Sequence, residues 1–396
     1  VKKHFLYILL SFLMLSSLLI VSCGDKETEN IVTNYADPAV PKYGGIHYRI
    51  RTTSWNAWDY AARTDMFNIS MMGEELLGGD WTRGPAGANE NDWTSGFGGF
   101  TDTLVGRLAE SWEMPDNETI VYHIRPDVHW WDKEPANGRE VTAEDIAWNI
   151  ERQFSSPMSY NYLHYTNAGK APLSATALDN HTVEVKVIPE WQGMMAAVIG
   201  DHMWLICPDA VEANGGETLT EWQQFIGTGP FMIDNYVIDS YIEYVRNPNY
   251  WQMDPLHPEN RLPYADGMKE LIFNAPTKVA QYIQALFFNG KIDTIYTASM
   301  AISGWEDVDY LKKKLPEVEV KSSASSATLM IWPRLDNEAL PFSDIRIRYA
   351  MNLAVNQKEL VDDYYGGHAE LLAWPYMNLP VFDRIYTPLE EQSQVV

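Results

Sequence analysis

Apolar and polar residues along this chain follow two periods, and each regular stretch declares itself strand or helix by the one it keeps. Ile46, Tyr48 and Ile50 alternate with His47, Arg49 and Arg51 after Gly44-Gly45, the period of a strand with one buried face. Thr52 to Tyr60 breaks that pattern with Ser54, Trp55, Asn56, Trp58 and Asp59. It reads as a loop leaving the strand's carboxyl end, where ligands are often met. Residues 78–100 are crowded with glycine around Trp81 and Trp93 but lack a phosphate-binding fingerprint, and read as a surface excursion.

From Leu108 the pattern is more regular. Val121 to Arg125 predicts a short strand, Asn137-Gly138 a turn, and Thr142-Ala143-Glu144-Asp145 a helix start, with Thr142 and Asp145 spaced as a capping box. Ala143, Ile146, Ala147, Ile150 and Phe154 form the buried stripe of that helix, which leaves Glu144, Asn149 and Arg152 for water. Val183, Val185 and Val187 alternate with Thr182, Glu184 and Lys186 in another strand. Thr277 opens a helix with Val279, Ala280, Ile283, Leu286 and Phe287 on one side and Gly290 at its end. Ser343 caps a further helix whose Ile347, Ala350, Met351 and Ala354 face the core. Strands and helices interspersed in this way predict an α/β or α+β architecture.

Length and composition narrow the function. The 396 residues suffice for two to three domains with sizeable cores, and 46% apolar with 21% charged residues is globular composition. Acids outnumber bases by 54 to 29, a formal charge of −25 that repels the phosphate backbone, so no nucleic acid is expected as partner. The two cysteines, Cys23 and Cys207, build neither a disulfide framework nor a multi-thiolate metal site.

The first segment is an address. Basic residues 1–4 precede an apolar run from Phe5 to Val21, the layout of an export signal, with a transmembrane helix as the alternative because of its length. Ile20-Val21-Ser22-Cys23 looks like a bacterial lipobox, in which the cysteine sulfur takes diacylglycerol before the leader is cut. Residues 1–22 are thus the expected lipoprotein signal peptide and 23–40 a flexible polar tether.

Catalytic chemistry finds few footholds. His123 and His129 with Asp132 are too far apart along a strand to converge on a metal without a turn. Glu110, Glu113, Asp116 and Glu118 could supply a carboxylate pair for glycoside cleavage, but read as solvated surface in so acidic a chain. No nucleophile elbow, His-Glu-x-x-His or Walker loop occurs, and Cys207 reads as a buried apolar thiol. The 15 tryptophans suit a polar-ligand cleft with an apolar floor. Trp112 and Trp148 read as packing, whereas Trp55, Trp58 and Trp332 stand in irregular polar stretches.

Several ordered blocks resemble the family 5 extracellular solute-binding proteins, the peptide- and nickel-binding class of ABC importers. They begin with Leu108-Ala109-Glu110-Ser111-Trp112, Val121-Tyr122-His123-Ile124-Arg125 and Val141-Thr142-Ala143-Glu144-Asp145-Ile146. Gly227-Thr228-Gly229-Pro230-Phe231, Arg246-Asn247-Pro248-Asn249-Tyr250-Trp251, Asn289-Gly290-Lys291-Ile292-Asp293 and Pro341-Phe342-Ser343-Asp344-Ile345-Arg346 follow in order.

The resemblance implies an α/β, two-lobed fold of periplasmic-binding-protein type II with an extra inserted domain. The first lobe would be discontinuous, at 41–77 and 189–275, with the inserted domain at 78–188 and the second lobe at 276–396. Relatives continue well beyond the equivalent of Gly366-Gly367, so the second lobe is expected to be incomplete here. Also implied are hinge closure on a peptide or similar small polar solute and delivery to ABC permease subunits, with the receptor held extracytoplasmically on the lipid bilayer through Cys23. The resemblance calls for no cofactor, metal or catalytic residue. The ligand-binding candidates are Ser54, Trp55 and Trp58 in the loop after the first strand, Trp332 for stacking, and Arg334 for pairing a ligand carboxylate. The competing classes are a surface-tethered glycan-binding protein or glycoside hydrolase, and an adhesion lipoprotein without a cleft.

Overall fold

The computed structural model describes residues 41–55, 57–62, 69–84, 88, 90, 103–216, 218–274, 279–295, 302, 304–321, 331–371 and 386–387. The chain divides into two units, Val1–Lys42 and Tyr43–Val396, and every element below belongs to the second. Residues 1–22, Cys23 and the tether up to residue 40 lie outside the described residues. Among those described, no helix is long and apolar enough to cross a membrane.

The first predicted strand is present as β1 (Ile46–Arg51), which runs parallel to β10 (Gly267–Ile272). Beyond β10 the same sheet continues antiparallel through β9 (Tyr241–Arg246) and β8 (Phe231–Val237). The alternation in β1 misplaces the burial: Ile50 is buried, but Ile46 is 45% and Tyr48 38% exposed. The cause is the cover on that face. Helix α4 (Val279–Phe288) and Ile292 form a small core around Ile50 and Ile283 that stops short of the strand's start. On the opposite face, assigned to water by the pattern, Arg49 Nε lies 2.8 Å and Arg51 Nη1 3.5 Å from the carboxylate of Glu270, whose side chain is 1% exposed.

A second sheet pairs β2 (Leu77–Gly79) with β3 (Leu104–Gly106). The third is antiparallel in the order β4 (Ala109–Glu113), β5 (Thr119–Ile124), β7 (Thr182–Lys186), β6 (Ser174–Asp179), with a register shift at Glu110. Helix α1 (Ala143–Ser155) packs across β6 and β7, where Val183 and Val185 are fully buried. It starts as expected: the Thr142 amide donates to Asp145 Oδ2 at 2.9 Å, and Ala143, Ile146, Ile150 and Phe154 are buried. Asn149, expected in water, is instead 1% exposed. Its amide nitrogen donates to the Ile206 carbonyl at 2.9 Å and its oxygen accepts from the Ile206 amide at 3.0 Å, so it satisfies both backbone polar groups of one residue.

One extensive core joins these layers through Trp58, Leu76, Tyr122, Trp130, Ile199 and Phe225, with α2 (Gln192–Asp201) and α3 (Pro208–Ala213) closing it. Gly227 and Gly229 allow the chain to pass directly over Met72: a Cβ on Gly227 would stand 1.9 Å from the Met72 carbonyl oxygen, and Gly229 donates its amide to that oxygen at 2.8 Å.

Toward the carboxyl end come α5 (Trp305–Lys314) and α6 (Ile345–Leu353). The cap of α6 is Asp344, whose carboxylate accepts the Arg346 amide at 2.9 Å, and not Ser343, which sits in the preceding turn Pro341–Ser343. No residue of α6 is buried, and Ile347 is 37% exposed, so the apolar stripe predicted to face a core is uncovered among the described residues. Thr277, the predicted start of α4, lies outside the described residues, while Gly290 closes that helix in the left-handed region at φ 59°.

Candidate functional site

The loop leaving β1 turns its aromatic residues and Asp59 inward and leaves Thr53 and Ser54 toward the outside. Trp55 and Trp58 are each 3% exposed, with ring centroids 5.2 Å apart. Tyr244 lies 6.2 Å from Trp55, Tyr236 lies 5.5 Å from Trp58, and the Arg51 guanidinium sits 5.0 Å over the Trp55 ring. The Tyr236 hydroxyl donates to the Trp55 carbonyl at 2.7 Å, tying the loop to β8. Burial, reinforced by the Glu270 carboxylate, pushes the Tyr244 phenol well above its ordinary range, so it stays protonated. Both indoles are therefore held as a floor in this structure, with no face open for stacking.

Ser54 lies at the exposed rim. Its hydroxyl donates to Asp239 and accepts the Asp239 amide at 2.8 Å, while the Asn274 side-chain amide also donates to Asp239. Asp239 occupies the β8–β9 turn in the left-handed region at φ 58°. Asp239 and Asn274 were not singled out in the sequence. The only local signal was a polar turn between two strands, which does not reveal that it meets a loop from the other end of the sheet.

The structure brings Ser54, Trp55 and Trp58 together at the carboxyl ends of β1 and β10. Trp332 is 78% exposed, and Arg334 grips Asp336 through two bonds of 2.7 Å, an arrangement that holds the Asp336 carboxyl below its usual range. Among the described residues no hydrogen bond, ion pair or ring contact joins either of them to the loop after β1.

The other chemically suggestive residues are dispersed. Among the described residues, no group of three His, Cys, Asp or Glu side chains could hold a metal ion. His123 Nε2 lies 3.5 Å from Glu113, and His129 Nδ1 is 2.8 Å from the Gly138 carbonyl. Glu110, Glu113, Asp116 and Glu118 are exposed, and hydrogen bonds from the Glu118 amide and the Thr119 hydroxyl hold the Asp116 carboxyl low, opposite to what a general acid needs. Cys207 is buried as expected, and burial pushes its thiol up to about 12.

Residues 103–388 match the family model of bacterial extracellular solute-binding proteins, family 5 Middle. The chain belongs to this family. It is 27% identical over 284 residues to the periplasmic oligopeptide-binding protein OppA of Salmonella typhimurium, a match covering 68% of this chain and 48% of that protein. It is 26% identical over 282 residues to heme-binding protein A of Haemophilus influenzae, again covering 68% and 48%. The chain spans about half the length of these curated relatives. Among solved structures, the periplasmic binding protein DppA of Helicobacter pylori in complex with the peptide STSA aligns with a TM-score of 0.61 at 20% identity, covering 84% of this chain and 60% of that one. This family 5 chain accordingly has the two-lobed, type II-like α/β fold of periplasmic binding proteins.

Proposed function

We propose that this chain belongs to an extracytoplasmic receptor that captures a peptide or similar small polar solute by hinge closure and hands it unaltered to an ABC importer. The observation that carries the reading is the family 5 match across residues 103–388. The sheet memberships support the lobe boundaries. The sheet built from residues 46–51 and 231–272 falls within the discontinuous first lobe, and the β4–β7 sheet, at 109–186, falls within the inserted domain. Ser54 and its partners at the ends of β1 and β10 form one wall of the ligand cleft, floored by Trp55 and Trp58. Trp332 and Arg334, exposed and irregular, supply a stacking face and a carboxylate partner from the other lobe. Cys23 carries diacylglycerol and holds the receptor at the outer face of the cell membrane.

The test is calorimetric titration of the full-length mature receptor, with Cys23→Ser for solubility, against di- to nonapeptides. One-to-one binding with intact peptide recovered supports the reading; peptide cleavage, or no binding across the series, overturns it. Palmitate labelling of the wild type that disappears in Cys23→Ser tests the anchor. The sugar-cleaving alternative gains no support, because its carboxylate pair would have to come from acids that are exposed and, at Asp116, held ionised.

A further inference from the structure

An open concavity of about 350 Å³ lies between the β4–β5 sheet and the segment after β9, and no residue of the loop that follows β1 lines it. Glu110, Arg125 and Asp127 line it from one side, and Asn249, Trp251 and Arg261 from the other. The backbone places these side chains deliberately. Glu110 sits at the register shift of β4, the kind of bulge that re-aims a side chain, and Asp127 is held in the left-handed region at φ 61°.

The arginines are fixed without being neutralised. Arg125 donates Nε to the Arg107 carbonyl at 3.0 Å and lies 4.6 Å over the Trp251 ring, while Arg261 donates Nη1 to the Tyr250 carbonyl at 2.8 Å. The indole is fixed too, donating Nε1 to the buried Glu74 carboxylate at 3.1 Å. Among the described residues, none of Arg125, Arg261, Glu110 and Asp127 makes an ion pair within 4.0 Å, although all line one concavity. Two cations and two anions thus keep their charges turned to solvent at one place in a strongly acidic chain.

We propose that this concavity is a second binding site, for a small zwitterion of the α-amino-acid class. The ligand carboxylate bonds the free guanidinium edges of Arg125 and Arg261, and its ammonium bonds Glu110 and Asp127. The lining charges cancel. A simple anion would meet the two carboxylates and a simple cation the two guanidiniums, so a neutral molecule bearing both charges is the best electrostatic match.

The test uses glycine, acetate and methylammonium as probes at neutral pH. Binding is followed by the 15N–1H resonance of the Trp251 indole, assigned with Trp251→Phe. The expected result is a saturable shift with glycine that neither half-molecule reproduces, with the dissociation constant raised about tenfold or more in Glu110→Gln and in Arg125→Gln. Glu110 is exposed and its replacement leaves the fold intact, so that variant decides even if Arg125→Gln is destabilised. A glycine response unchanged in Glu110→Gln, an equal response to acetate, or no saturable response overturns the proposal. Peptide titration of Glu110→Gln is expected to match the wild type, which separates this site from the main cleft.

Discussion

Arg152 on α1 forms a two-pronged ion pair with Asp59 in the loop after β1, with Nη1–Oδ1 at 2.8 Å and Nη2–Oδ2 at 2.6 Å. The Asp59 side chain is fully buried and also accepts the amides of Ala61 at 3.0 Å and Leu219 at 3.1 Å. One carboxylate therefore locks the loop under the candidate cleft to the helix of the neighbouring sheet. Arg152→Ala strands that charge in the interior, and is expected to cost about 3–5 kcal/mol, read as a lowered midpoint in urea denaturation. An unchanged midpoint would show that the pair does not hold the loop.

The approach of residues 227–229 to Met72 is set by backbone contact. Gly227→Ala forces a Cβ to within 1.9 Å of a carbonyl oxygen and must displace the chain. A loss of about 1–3 kcal/mol or more is expected in thermal or chemical melts. Ala at Gly193, whose Cβ would meet nothing within 4 Å, is the control and should leave the melt close to wild type.

Trp55 and Trp332 predict opposite phenotypes. Trp55→Ala removes a core side chain that is 3% exposed and should cost about 3–5 kcal/mol of stability. Trp332→Ala removes one that is 78% exposed, should leave stability within about 0.5 kcal/mol, and should weaken peptide binding by roughly two- to tenfold. Stability from melts and affinity from calorimetry, measured on the same two variants, separate floor from contact.

Burial, with Asp201 adding and Arg107 opposing, raises the Glu75 carboxyl well above its ordinary range. The folded chain then keeps a proton that the unfolded chain releases. This stability contribution is complete below the ordinary carboxylate pKa and is lost as pH rises through the raised folded value. Glu75→Gln cannot ionise, so it should gain stability relative to wild type as pH increases across that window. Parallel stability–pH curves for the two proteins would refute it.

With its thiol pushed up to about 12 and its side chain fully buried, Cys207 should resist Ellman's reagent at pH 8 in the native Cys23→Ser protein and react fully in denaturant. Rapid native labelling would place the thiol at the surface.

The elements were legible wherever a short stretch of sequence decides its own structure. The Thr142–Asp145 cap, the stripe of α1 and the Val183–Val185 alternation all depend on neighbours within one or two turns. The failures share a different cause, which is the partner's distance along the chain. Asn149 is buried because the backbone N–H and C=O of Ile206 need it, and Ile46 is exposed because its cover stops at Ile50. The pattern puts the cap of α6 at Ser343, but Pro341–Ser343 forms its own turn and the backbone moves the cap one residue on, to Asp344. For the candidate site, the sequence located the loop after β1 but not the direction its side chains point. Trp55 and Trp58 are drawn inward by Tyr236 and Tyr244, whose rings come from strands nearly two hundred residues later.

The parallel pairing of β1 with β10 sets an order on how this molecule is made. Residues 46–51 leave the ribosome well before their only strand neighbour among the described residues, which starts at Gly267. Until residue 267 is made, the amides of β1 lack that partner, while the β4–β7 sheet, complete by residue 186, can already zip. A strand kept waiting leaves its stretch of the nascent polypeptide slack, the condition under which a chain can still be threaded through a narrow channel.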